Sequence, residues 1–106
     1  MNLKSTQYSV IDGIATILLS RPKRRNAWTG RMHTEYRWCL SQADNDPLVR
    51  VIVVTGDPDG KAFCAGADVV ELTGKTPAEH RRGIERGQAL FEGLSRFPVP
   101  VIALIH

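Results

Sequence analysis

Val51-Ile52-Val53-Val54-Thr55-Gly56-Asp57-Pro58-Asp59-Gly60-Lys61-Ala62-Phe63-Cys64-Ala65-Gly66-Ala67-Asp68-Val69 is the stretch on which the fold turns. Its first five residues are β-branched throughout, which predicts a strand. Gly56–Gly60 carries Gly, Asp and Pro and predicts a loop. A run of small residues follows, ending at Asp68, and Val69–Leu72 then reads as a short helix. Small side chains let a ligand approach the backbone closely, and Gly66 permits dihedrals that other residues avoid. Asp68 is a helix-capping residue type, so the backbone N–H groups near Ala67 are expected at a positive helix end. Such a place suits an oxygen that gains negative charge during a reaction. The same run also serves a strand-to-helix loop built for packing, and spacing alone favours that plainer role.

Upstream, Tyr8–Ile11 predicts a short strand, Asp12-Gly13 a hairpin turn, and Ile14–Leu19 a return strand apolar enough to be buried on both faces. Pro22 and the basic residues Arg21, Lys23, Arg24 and Arg25 end it. Thr29 can cap a helix running to about Ala43, with Met32, Tyr36, Cys39, Leu40 and Ala43 on its core face. Asp44-Asn45-Asp46-Pro47 stops that helix. Downstream, Thr76, Pro77 and Glu79 form the start of a second helix with a capping box. Ile84, Gly87, Leu90, Phe91, Leu94 and Phe97 recur at helical spacing along it. Pro98 and Pro100 end it, and Val101–Ile105 begins another strand expected to be buried. The order strand, strand, helix, strand, loop, helix, strand is that of an α/β chain with a mainly parallel sheet. An apolar strand closing the sequence, with no following helix to cover it, predicts the front portion of a longer fold.

Composition narrows the classes. With 42% hydrophobic and 24% charged residues in 106, one small globular domain is expected and wholesale disorder is excluded. No apolar run approaches the length of a membrane span, and the opening Met1-Asn2-Leu3-Lys4-Ser5 does not lead into a secretory signal. A cytoplasmic location and reduced thiols at Cys39 and Cys64 are the corresponding expectations. The net charge of +3 is mild, and one basic cluster without interleaved aromatics does not make a nucleic-acid reader. His33, His80 and His106 share no metal-ligand spacing. Trp28 and Trp38 are expected as core or interface aromatics.

Three segments resemble one family in its own order and spacing. Lys61–Val69, directly after Val51–Gly56, is similar to the enoyl-CoA hydratase/isomerase (crotonase) signature. Arg21-Pro22-Lys23-Arg24-Arg25-Asn26-Ala27-Trp28 resembles that family's RP-x-x-x-NA-L segment, with Trp28 where leucine is usual. Pro98-Val99-Pro100-Val101-Ile102-Ala103 matches the strand leading to its glycine-rich loop. The resemblance implies a crotonase-like spiral of ββα units, of which residues 1–106 form the N-terminal part of one domain. It implies that the Ala67 N–H is one of two donors to an acyl-thioester carbonyl. Ala27, Ala65, Gly66, Asp68 and Val69 would then shape the coenzyme A path, while Lys23 and Arg25 face the nucleotide phosphates as charge-assisted donors.

The implied partner is an acyl-CoA thioester. Coenzyme A arrives as part of the substrate, with no separate cofactor and no metal. A homo-oligomer, a trimer or a dimer of trimers, is expected for the full-length architecture, without nucleic-acid or membrane partners. The family's second oxyanion donor and its catalytic carboxylates lie beyond the segments matched. Glu71, Glu79, Glu85 and Glu92 read instead as helix residues on or near solvent, and Asp68 as a cap in preference to a general base. One oxyanion donor is typically worth roughly 3–4 kcal/mol of transition-state stabilisation, so the 106-residue chain alone is not expected to be a competent hydratase. The alternative is a truncated, non-catalytic crotonase-like chain that binds coenzyme A or a partner chain.

Overall fold

Asp12 and Gly13 both take left-handed φ angles, 52° and 80°, and so close a tight hairpin between β1 (Thr6–Ile11) and β2 (Ile14–Leu19). The computed structural model describes residues 1–94 and 96–106. The two strands pair antiparallel from Thr6↔Leu19 to Ile11↔Ile14. The chain then crosses through α1 (Gly30–Asp44) and returns as β3 (Val51–Gly56), parallel to β2. After α2 (Val69–Leu72) and α3 (Pro77–Leu94), β4 (Val101–Leu104) pairs parallel with β3, giving the sheet order β1-β2-β3-β4. This is the α/β arrangement the sequence predicts.

The core lies between α1 and one face of the sheet. Ala15, Ile17 and Leu19 of β2 alternate inward, Ile52 and Val54 do the same from β3, and Met32, Tyr36, Cys39, Leu40 and Ala43 meet them from α1. Full burial of a side chain such as Ile17 or Met32 is worth about 2 kcal/mol relative to exposure. Thr29 caps α1 by accepting from the Met32 N–H at 3.1 Å. Burial of β2 on both faces is not observed: Ile14 is exposed, and Thr16 and Leu18 are only half-buried. The antiparallel partner β1 starts at Thr6 rather than Tyr8, because Glu35 of α1 gathers the N–H groups of Lys4, Ser5 and Thr6 at 2.9–3.0 Å.

The expected burial of β4 is corrected, and α3 shows a related exposure. No residue of α3 is buried among those described, although its apolar residues keep helical spacing. In β4 Val101 is half-buried, but Ile102 and Leu104 are 49% and 58% exposed. Apolar pattern sets which side turns inward, and burial needs a further layer over that side. No described element closes over this part of the sheet.

Candidate functional site

The loop 61–68 is laid down beside residues 25–28 by three backbone hydrogen bonds. The Ala65 N–H donates to the Arg25 carbonyl (3.1 Å), the Trp28 N–H to Gly66 (2.8 Å), and the Asp68 N–H to Trp28 (2.9 Å). The last two form a one-residue parallel bridge between Trp28 and Ala67. In such a bridge the bonds flank the central residue, so the N–H of Ala67 itself points away from Trp28. It has no partner among the described residues, and Ala67 is exposed. The arrangement thus leaves one donor open in a small-residue loop.

Asp68 locks the loop into the next element. Its Oδ1 accepts from the Val70 N–H at 2.9 Å and the Glu71 N–H at 3.4 Å, capping α2, while its Oδ2 accepts from Arg21 Nη1 at 2.8 Å. The Arg21 guanidinium holds the carboxyl below its ordinary value, aided by the cap N–H groups and opposed by burial. An ionised, fully engaged carboxylate is a cap and an ion-pair partner. Because α2 has four residues, its dipole contributes little, and the open Ala67 amide is the main electrostatic feature.

The basic cluster divides. Arg21 also donates to the Ala27 carbonyl at 2.8 Å, so it joins the scaffold and is withdrawn from any ligand. Lys23 and Arg25 are exposed on the turn at Pro22–Arg24 and its left-handed cap, and neither is ion-paired among the described residues. Ala27 is half-buried, whereas Ala65, Gly66 and Val69 are exposed along the same edge as Ala67. The backbone bonds bring Arg25, Ala65, Gly66 and Asp68 together around the Trp28–Ala67 bridge.

Sequence reading missed the residues that hold this edge. Asn26 is fully buried, accepts from the Arg21 N–H (2.9 Å), and donates to the carbonyls of Asp57 (3.1 Å) and Ala62 (2.8 Å). A methyl group at Gly60 would stand 2.6 Å from its Nδ2, so the second loop must present a bare backbone there. Glu71 is half-buried, and its Oε1 accepts from the Gly30 N–H at 2.6 Å, fastening α2 to the start of α1. An Asn flanked by turn residues, and a Glu one turn past a cap, were the available signals.

Beside Ala67 opens a cleft of about 270 Å³, walled by Trp28, His33, Gly83, Ile84, Gly87 and Phe91, with the side chains of α3 opposite the bridge. The Trp28 ring packs edge-on to Tyr36 (5.6 Å between centroids) and His33 (6.4 Å), and tilted against Phe91 (6.2 Å). Burial holds His33 below its ordinary value, with Arg37 and Arg86 adding to the effect. The Cys39 thiol is pushed up to about 11 by burial and is chemically quiet. No group of three potential metal ligands occurs among the described residues, and no helix there is long and apolar enough to cross a membrane.

The sequence profile for enoyl-CoA hydratase/isomerase matches residues 10–106. The chain belongs to that family. It is 34% identical over 99 residues to the 1,2-epoxyphenylacetyl-CoA isomerase of Escherichia coli K12, a match covering 89% of the chain and 37% of the relative. An enoyl-CoA hydratase of Alternaria alternata is 40% identical over 98 residues, covering 90% of the chain and 31% of the relative. The enoyl-CoA hydratase/isomerase structure from Xanthobacter autotrophicus Py2 superposes with a TM-score of 0.88 at 26% identity, across 99% of the chain and 39% of that structure. Enoyl-CoA hydratase from Bacillus anthracis gives 0.87 at 27% identity, over 96% and 40%. The fold is therefore crotonase-like, and the chain spans well under half the length of these family members.

Proposed function

We propose that residues 1–106 form the coenzyme A-holding wall and one oxyanion donor of an enzyme acting on acyl-CoA thioesters. The reading closest to the family is water addition to a 2-enoyl-CoA through an oxyanion-stabilised enolate. The single observation that carries it is the exposed Ala67 amide, without a partner among the described residues and turned out from the bridge that fixes its neighbours. A donor held in place before the ligand arrives needs no reorganisation as charge grows on the carbonyl oxygen. Lys23 and Arg25 would meet the phosphates of the nucleotide end, and the backbone at Ala27, Ala65, Gly66, Asp68 and Val69 would flank the pantetheine arm. Coenzyme A enters with the substrate, so the reading requires no resident cofactor. A homo-oligomeric assembly and a cytoplasmic setting belong to the same reading.

Of the two glutamates at the cleft, Glu71 is bonded to Gly30 and Glu79 Oε1 accepts from the Thr76 hydroxyl at 3.2 Å. Proton transfer is accordingly assigned to groups other than these. The exposed apolar residues of β4 and α3 favour a second reading, in which the chain holds coenzyme A or docks on a partner chain without turnover.

Ala67→Pro tests the proposal, because proline removes the N–H and that N–H has no partner among the described residues. Calorimetry should show the purified chain binding butyryl-CoA more tightly than its butyl thioether analogue, which lacks the carbonyl. In Ala67→Pro the preference should disappear, a change of up to roughly tenfold for one hydrogen bond to the carbonyl oxygen. Equal binding of thioester and thioether by the unaltered chain would leave only the coenzyme A-holding reading.

A further inference from the structure

Behind the Ala67 cleft lies a second, apolar cavity of about 410 Å³ between the sheet and α3, lined among others by Leu19, Val54, Val101 and Ala103. The two cavities share two lining residues, Trp28 and Phe91. Their rings stand 6.2 Å apart at 46° and so form the partition between the cleft and the space behind it. Trp28 is placed for this by its backbone, since the bridge that frees the Ala67 N–H fixes the Trp28 main chain. Its ring is braced by Tyr36 of α1 on the core side. Across the cleft, Cβ atoms built at Gly83 and Gly87 of α3 would meet nothing within 4 Å, so the entrance is open where the partition is closed.

We propose that the Trp28–Phe91 pair determines acyl-chain length, by stopping the acyl tail in the cleft and excluding it from the apolar cavity. The inference rests on the acyl-CoA reading above and adds the substrate class, short acyl groups. An acyl group whose carbonyl meets the Ala67 N–H extends into the cleft toward the two rings. The rings stop it after a few carbons. Leucine, the usual residue of the resembled segment, is smaller than tryptophan and would leave the partition incomplete. Each further methylene that enters an apolar cavity should then strengthen binding about fourfold.

The test is calorimetric binding of butyryl-, hexanoyl-, octanoyl- and decanoyl-CoA to the chain, Trp28→Leu and Phe91→Ala. Phe91 is 57% exposed, so its truncation leaves the fold intact even where Trp28→Leu does not, and circular dichroism checks both. The unaltered chain should gain little affinity beyond hexanoyl-CoA. Either variant should continue to gain, by about fourfold per methylene, to octanoyl-CoA or further. Affinity that climbs with length equally in all three proteins overturns the partition, as does a plateau that both folded variants retain. Failure of the unaltered chain to bind any of the four thioesters is a different result, and overturns the acyl-CoA reading itself.

Discussion

Glu35 shows how much one buried side chain can organise. It is 1% exposed, yet its Oε1 accepts three backbone N–H groups and the Thr6 hydroxyl, while Oε2 accepts from Arg31 Nε at 2.7 Å. Burial pushes its carboxyl up, but the bonds from Ser5, Thr6, Arg31 and Lys4 outweigh it and leave it below the ordinary value of 4.5. The folded chain thus binds this proton less tightly than the unfolded chain does. The stabilisation is whole above pH 4.5 and is lost as pH falls through the lower folded value. Glu35→Gln should lower stability by roughly 2 kcal/mol at pH 7, since hydrogen bonds to a charged acceptor are the stronger kind. In urea titrations that gap should close as the pH drops below the ordinary carboxylate range. Identical urea midpoints at pH 7 would refute the role. Glu35 sits on the helix between apolar residues, and its sequence position does not announce a partner thirty residues away. Asn26 was equally opaque, because its three partners come together only when two loops meet. Ala67, by contrast, stood in a small-residue motif whose spacing alone favoured a packing loop, and its likeness to the family signature is what singled out the amide.

Among the elements, α1 and α3 invite opposite expectations. The stripe Met32, Tyr36, Cys39, Leu40 and Ala43 was legible from its spacing, and all five residues are buried. The stripe in α3 has comparable spacing, and none of its residues is buried. Periodicity identifies a face and does not say what lies against it. In α3 the face looks onto the Ala67 cleft and the apolar cavity, which a ligand or another layer can fill. Native-state hydrogen exchange should therefore find α1 amides opening only near the global unfolding free energy, and α3 amides exchanging much faster through local opening. Equal protection in the two helices would contradict this. The capping signals at Thr29 and Asp68 were readable, because an oxygen-bearing side chain before a helix satisfies an otherwise unpaired N–H whatever the surrounding fold. At Thr76 the hydroxyl accepts from the Glu79 N–H as expected, while the Glu79 carboxylate accepts a hydrogen bond from the Thr76 hydroxyl.

At the scale of the whole molecule, topology and site arise from one construction. The parallel β2–β3 pair sets the 21–28 segment and the 56–68 loop side by side, Asn26 and the Arg21–Asp68 pair join them, and the Trp28–Ala67 bridge turns one amide outward. Element order and the three motif segments were enough to anticipate the crotonase-like α/β fold. Exposure was not, since burial on both faces of β2 and around β4 depends on layers that the described residues do not supply. The central claim is that the Ala67 N–H donates a hydrogen bond to the thioester carbonyl oxygen. Isotope-edited infrared spectroscopy of a carbonyl-¹³C acyl-CoA bound to the chain tests it most directly. The account predicts a carbonyl stretch displaced to lower frequency in the unaltered chain and restored toward its free position in Ala67→Pro. A bound thioester whose carbonyl band stays at the free-solution frequency in the unaltered chain would contradict it.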